Sequence, residues 1–251
     1  MNEAFKSLLR PAFRPARRML QRLGYDVVAM SSPEAGQDPR MYWIERLGVD
    51  GLIDVGANAG QYVGWMRDRG YRGPILSLEP QPDAFEACKA RWSDDPRWQG
   101  VCCAVGAEAG EMTLQVAGNS FSSSLLPMLQ SHVDALPESA IVDTRNVPVR
   151  RLDEVVGSAL GSAKALFLKI DTQGFELPVL QGADGILDRV VAVELELSLV
   201  PLYDGQELLP RVWSAVESMG FEPVWLEPGF ADAASRRLLQ ADAIFARKTT
   251  S

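Results

Sequence analysis

The chain has 251 residues, 47% of them hydrophobic and 23% charged, with a formal net charge of −8. That balance excludes an extensively disordered chain, and it makes nucleic acid a poor partner because phosphate binding leans on a basic surface. No window approaches the roughly 18 uninterrupted apolar residues of a membrane-spanning helix, and the length suits one α/β domain with small additions.

The charge is unevenly spread. Residues 1–22 carry Lys6, Arg10, Arg14, Arg17, Arg18 and Arg22 against Glu3, a net of +5, which leaves −13 on the remainder. Residues 1–40 read as a basic helical arm broken at Pro11 and Pro15, and residues 41–251 as the domain proper. The arm either packs on the domain with its arginines in solvent or lays Phe5, Leu8, Leu9, Phe13, Met19 and Leu20 against anionic lipid. It lacks the long apolar core and small-residue cleavage site of a signal peptide. Cys88, Cys102 and Cys103 build neither a disulfide framework nor a C-x-x-C zinc pair. A reducing cytoplasm is the expected compartment, at the inner face of the membrane if the arm binds lipid.

Beyond the arm, short apolar runs alternate with helical patterns. Residues 51–55 read as a buried strand, 61–69 as a helix, 74–79 as a strand, 82–92 as a helix opened by Pro82, and 98–105 as a third strand. The alternation then lapses. Residues 111–116 read as an extra strand, 117–145 as an irregular lid rich in Ser, Asn and Pro, 146–151 as extended chain, and 152–160 as a short helix. It resumes with strand 165–170, helix 176–187, strand 190–195, helix 207–219 and strands 222–226 and 241–247. Strands interleaved with helices of about 10 to 15 residues imply parallel βαβ units in a doubly wound sheet. The last two strands have no helical pattern between them, so an antiparallel hairpin should close the sheet.

In such a sheet, ligands bind beyond the carboxyl ends of the strands, where strand order reverses. The informative residues fall there. The first strand runs into Asp54, Gly56, Asn58 and Gly60, the second into Glu79, Pro80 and Gln81, the fourth into Asp171 and Gln173, and the fifth into Glu194 and Glu196. Gly56 and Gly60 permit a tight turn and close ligand approach. A carboxylate at Asp54 would repel the pyrophosphate that a G-x-G-x-x-G turn cradles, but it suits a cationic amine. Glu79 follows 25 residues later, near the roughly 20-residue interval at which an acid receives ribose hydroxyls. Together they describe S-adenosylmethionine better than NAD(P). An NAD(P)-dependent oxidoreductase and a non-catalytic binding module are the competing readings.

Six stretches carry a resemblance in their order as well as their wording: LIDVGANAGQY, SLEPQPDAF, NSFSSSLL, VRRLDEV, LFLKIDTQGFELPVLQGA and VVAVELELSLVPLYDG. With these the chain resembles the FkbM family of S-adenosylmethionine-dependent methyltransferases over roughly residues 50–205. The resemblance implies a class I methyltransferase fold, Rossmann-like, mostly parallel with an antiparallel last strand. It also implies methyl transfer to a hydroxyl of a sugar in a glycan, glycolipid or glycosylated metabolite, with polyketide or peptide natural products as the other acceptors. It places Asp54, Gly56, Asn58 and Gly60 around the methionine moiety, Glu79 on the ribose, and Gln81, Cys103 and Ala104 by the adenine. Gln61, Tyr62, Pro80 and Asp171 complete the cofactor set.

Methyl transfer needs an acceptor oxygen in line with the sulfonium carbon, and a base or metal to deal with the hydroxyl proton. Asp171 is the leading base, and His132, the sole histidine, is the second. Asn119, Ser122, Ser123, Ser124, Gln173 and Glu176 are expected at the acceptor. Asp171, Glu194 and Glu196 form a candidate Mg²⁺ set; of the two glutamates, one is expected to face Asp171.

Overall fold

A computed structural model describes residues 38–248. The basic arm expected at the N-terminus lies outside the described residues up to residue 37. Among the described residues no helix is long and apolar enough to cross a membrane, and the three cysteines are free thiols.

Seven strands form the main sheet: β1 (Gly51–Val55), β2 (Ile75–Leu78), β3 (Trp98–Val101), β7 (Leu166–Ile170), β8 (Val190–Ser198), β9 (Phe221–Pro228) and β10 (Gln240–Arg247). Their order is β3-β2-β1-β7-β8-β10-β9, and β10 runs antiparallel to both of its neighbours. The chain therefore winds outward from β1 in one direction and from β7 in the other, so the switch point lies between these two strands.

The central strands are buried on both faces, as parallel strands covered by helices must be. Ile53, Val55, Leu168, Ile170, Val193 and Leu195 point into one core, where Val155 and Val156 of α5 (Leu152–Ala159) and Val212 and Val216 of α7 (Leu209–Ser218) meet them. Leu52, Phe167, Ala192 and Ile244 point into the other, against Met41 and Ile44 of α1 (Pro39–Arg46) and Val63 and Met66 of α2 (Gln61–Asp68). Because side chains alternate along a strand, Asp54, Lys169, Asp171, Glu194 and Glu196 fall on this second face, just beyond its apolar part. α3 (Pro82–Trp92) begins at Pro82 as expected, with Asp83 in its first turn and Lys89 and Arg91 in its last, matching the helix dipole.

The structure departs from the sequence expectations in the middle of the chain. The third strand stops at Val101, and Ala104–Val105 is a separate strand, β4. β4 joins a second, three-stranded sheet with β5 (Gly110–Ala117) and β6 (Ile141–Arg150), in the order β4-β6-β5. β6 begins inside the stretch expected to be irregular, because its residues 142–146 are all exposed and show no apolar alternation. α4 (Gln130–Ala135) also falls in that stretch. The helix expected over residues 176–187 ends early: α6 covers Glu176–Gln181 and a 3₁₀ turn follows over Asp184–Arg189. Gly182 sits at the break, where a Cβ would lie 2.2 Å from the Gly106 carbonyl oxygen. Close backbone packing at that point accounts for both the glycine and the stop.

Candidate active site

At the switch point the chain builds a row of charges across the sheet. Asp54 on β1, Lys169 on β7 and Glu194 on β8 are in register with one another. Lys169 Nζ lies 3.0 Å from Asp54 Oδ1 and 3.6 Å from Asp171 Oδ2, and it donates a hydrogen bond to the Gly56 carbonyl at 3.2 Å. Asp54 is fully buried, and its Oδ1 meets the Lys169 ammonium. Burial pushes its carboxyl upward and Lys169 opposes that push. The two carboxylates raise the Lys169 ammonium above its ordinary value despite its own burial. Glu194 accepts from Tyr62 Oη at 2.5 Å and pairs with Arg40 of α1, whose other nitrogen reaches Glu227.

The turn after β1 is shaped by Gly56. It adopts φ +78°, and a Cβ there would lie 1.9 Å from the Asp171 carbonyl oxygen, so two strand-end loops meet backbone to backbone. Asn58 follows with φ +47°, its backbone N–H donating to Glu79 Oε2 at 2.8 Å and its amide nitrogen to Ser120 Oγ at 3.2 Å. Gln81 N–H donates to the other oxygen, Glu79 Oε1, at 2.8 Å. Ser120 and Gln173 also hold positive φ, of 59° and 54°. Strained backbone of this kind, costing about 1–3 kcal/mol per residue, persists where surrounding structure over-determines it and clusters at functional sites.

Two cavities share a wall made by Gly56, Asn58, Phe121, Asp171 and Glu196. One, of about 260 Å³, is lined by Glu79, Pro80, Cys103, Ala104, Ser123 and Gln173 among others. The other, of about 500 Å³, is lined by Gln61, Tyr62, Lys169, Glu194, Glu227 and Asp242 among others. The predicted residues thus converge, with some exceptions. Asp54 sits behind Lys169, Gly60 accepts the Trp92 indole N–H, and Gln81 acts through its backbone on Glu79. Asn119 and Ser122 hydrogen-bond to each other rather than lining a cavity.

Glu176 is corrected from an acceptor-binding residue to a structural one. It is buried at the start of α6, where its Oε1 accepts from the backbone N–H groups of Gly174 and Thr172. His132 lines neither cavity. Its ring packs edge-on to Tyr203 at 5.2 Å and beside Phe230 in a separate cluster, and burial lowers its basicity. Glu194 and Glu196 both line the cavity that holds Asp171, because residues two apart on a strand share a face. The donor set does not fit Mg²⁺. Glu194 is engaged by Arg40 and Tyr62, and Glu196 Oε2 accepts from the Gln173 and Gln240 amides at 2.6 Å each. Among the described residues no group of three His, Cys, Asp or Glu could hold a metal ion.

Lys169, Arg40, Phe121 and Tyr203 are site residues that motif reading missed. Lys169 stands on β7 two residues before Asp171, which follows the strand end, and that spacing is the signal for a shared face. Tyr203 Oη lies 2.9 Å from both Ser122 O and Gln173 Oε1, sharing its single proton between them and fixing the Gln173 amide against Asp171 and Glu196.

A Rossmann-like sheet of this strand order, with an acid behind the first glycine turn and another at the end of β2, defines the class: an S-adenosylmethionine-dependent methyltransferase. The family described as Methyltransferase FkbM domain matches residues 54–223, and the chain belongs to that family. Methyltransferase 1 of Beauveria bassiana (strain ARSEF 2860) is 25% identical over 197 residues, covering 70% of this chain and 76% of the relative. Methyltransferase sdnD of Sordaria araneosa is 25% identical over 198 residues, covering 68% and 73%. Among solved structures, an rRNA methylase from Streptococcus thermophilus superposes with a TM-score of 0.46 at 12% identity, covering 88% of this chain and 100% of its own. Fibrillarin from Aeropyrum pernix, solved with natively bound S-adenosyl-L-methionine, gives a TM-score of 0.44 at 13% identity, covering 78% and 66%.

Proposed function

We propose that the enzyme methylates a hydroxyl oxygen, with a sugar of a glycan, glycolipid or glycosylated metabolite as the acceptor. The residues fit the cofactor. Asp54 is a buried carboxylate that pairs with Lys169 at the cavity wall, Gly56 leaves no Cβ at the turn, and each Glu79 oxygen, holding one backbone N–H, keeps a lone pair for a ribose hydroxyl.

Bound S-adenosylmethionine supplies an electrophilic methyl on a sulfonium. The observation that carries the reading is Asp171. Its side chain is 40% exposed on the wall common to both cavities, steadied by the Gln173 amide at 2.9 Å and by Lys169. Asp171 takes the hydroxyl proton as the oxygen–carbon bond forms and the carbon–sulfur bond breaks. Glu196, Glu227 and Asp242 line the acceptor cavity and offer acceptors to further hydroxyls, as a polyhydroxylated ring requires. A polyketide or peptide natural product is the second acceptor class.

Methyl-labelled S-adenosylmethionine incubated with sugar nucleotides, glycolipids and hydroxylated polyketides tests this. The expected result is label in an alkali-stable ether on the sugar-bearing acceptors. Label in an alkali-labile ester or on nitrogen would overturn the hydroxyl reading, and label on aglycone polyketides alone would overturn the sugar.

Glu79 also sets a pH dependence. Burial pushes its carboxyl up to about 7, against the pull of two backbone N–H groups. Ribose hydroxyls donate to the ionised form, so binding supplies affinity above that value and loses it as pH falls through it. Calorimetry with S-adenosylhomocysteine should show affinity about tenfold weaker at pH 6 than at pH 8 in the wild type. Glu79→Gln should show weak, pH-independent binding over the same range.

A further inference from the structure

The loop from Gly118 to Leu125 is held by hydrogen bonds along its length, the Phe121 backbone N–H donating to the Asn119 carbonyl at 2.8 Å, while the Phe121 side chain is left exposed. Asn119 and Ser122 bond to each other in two places, Ser120 Oγ accepts from Asn58, and Ser123 Oγ accepts from Ala117 N–H at 3.1 Å and donates to Gln81 Oε1 at 3.3 Å. Ser124 Oγ donates to the Gln173 carbonyl at 2.8 Å, and Ser122 O receives Tyr203 Oη. Ser122 and Ser124 are buried, at 5% and 2% exposure. Phe121, between them and Ser120, is 62% exposed. A lone exposed aromatic needs no explanation on a mobile surface. This one stands on a loop tied to three strand-end turns, beside a serine at φ +59°, and its side chain lines both cavities. The hydrogen bonds fix where the loop goes, and among the described residues the ring stays largely uncovered.

We propose that Phe121 is the residue that would meet the sulfonium centre of the methyl donor, at the junction of the two cavities. The proposal rests on the cofactor reading above. An aromatic face attracts a cation by its quadrupole, and most strongly where water is displaced. The attraction disappears with the charge, so it discriminates the methyl donor from its demethylated product. A ring in this place favours S-adenosylmethionine over S-adenosylhomocysteine and helps the product leave.

The test is calorimetric binding of S-adenosylmethionine and S-adenosylhomocysteine to the wild type, Phe121→Ala and Phe121→Tyr. The ring is exposed, so Phe121→Ala should keep the wild-type melting temperature. It should lose about tenfold affinity for S-adenosylmethionine and no more than about threefold for S-adenosylhomocysteine, and Phe121→Tyr should restore the wild-type preference. Equal losses for both ligands, or no loss for either, with wild-type binding intact, would overturn the role of Phe121 alone. Failure of the wild type to bind either ligand would overturn the cofactor reading with it.

Discussion

Replacing Lys169 by methionine is expected to cost about 3–5 kcal/mol of stability at pH 8, the penalty for leaving one member of a buried ion pair uncompensated. Lys169 is 8% exposed and Asp54 is fully buried, so water cannot take over the lost contact. The pH dependence follows from the signs. In the wild type the ammonium is raised above its ordinary value, so its contribution stays whole across neutral pH and is lost only in strongly alkaline solution. In Lys169→Met the cation that pairs with Asp54 is gone, its carboxyl rises further, and the penalty appears above that raised value and fades as pH falls and the acid takes up a proton. Denaturant unfolding at pH 8 and pH 5 should therefore show a deficit that shrinks on acidification. Asp54→Asn added to Lys169→Met should recover much of the stability without restoring cofactor binding. A Lys169→Met protein as stable as the wild type at pH 8 would contradict the pairing.

The second large effect falls on turnover. Asp171→Asn is expected to lower kcat by about 10²- to 10⁴-fold, the usual contribution of a positioned proton acceptor, while S-adenosylhomocysteine affinity changes little. The amide is isosteric and its oxygen still faces the Gln173 donor, 2.9 Å from Asp171 Oδ1 in the wild type. Lys169 keeps its contact with Asp54. What is lost is the capacity to accept a proton. Single-turnover kinetics on the acceptor found in the labelling screen separates this from a binding defect. Turnover within about threefold of wild type would place the base elsewhere; His132 lines neither cavity, so Glu196, on the same wall as Asp171, would be the next residue to test.

Much of this site was legible because it is local. The acid and the glycines after β1, Glu79 after β2 and Asp171 after β7 each sit at the end of an apolar run, and the ends of adjacent strands in a doubly wound sheet meet. Asn58 shows the limit of such reading. Its place in the turn was plain, but its work depends on Glu79 and on Ser120, which lie 21 and 62 residues away. Arg40, Glu227 and Asp242 come to one cavity from α1, β9 and β10, and no spacing in the chain announces that meeting. The metal set failed for a related reason: three acids at neighbouring strand ends suggested a cation, and only the fold reveals the arginine, tyrosine and amide donors that already occupy two of them. The second half of β6 was read as extended chain, and the first half escaped notice because it is exposed, leaving no alternation for a pattern to show.

The central claim is that the cleft at the ends of β1, β2 and β7 binds S-adenosylmethionine, with Glu79 receiving the ribose. Calorimetric titration of S-adenosylhomocysteine into the wild type and Glu79→Ala at pH 8 tests it most directly. The expected result is one saturable site per chain in the wild type, weakened about 10- to 100-fold in Glu79→Ala by the loss of charge-assisted hydrogen bonds. No binding to the wild type, or equal affinity in the two proteins, would contradict it.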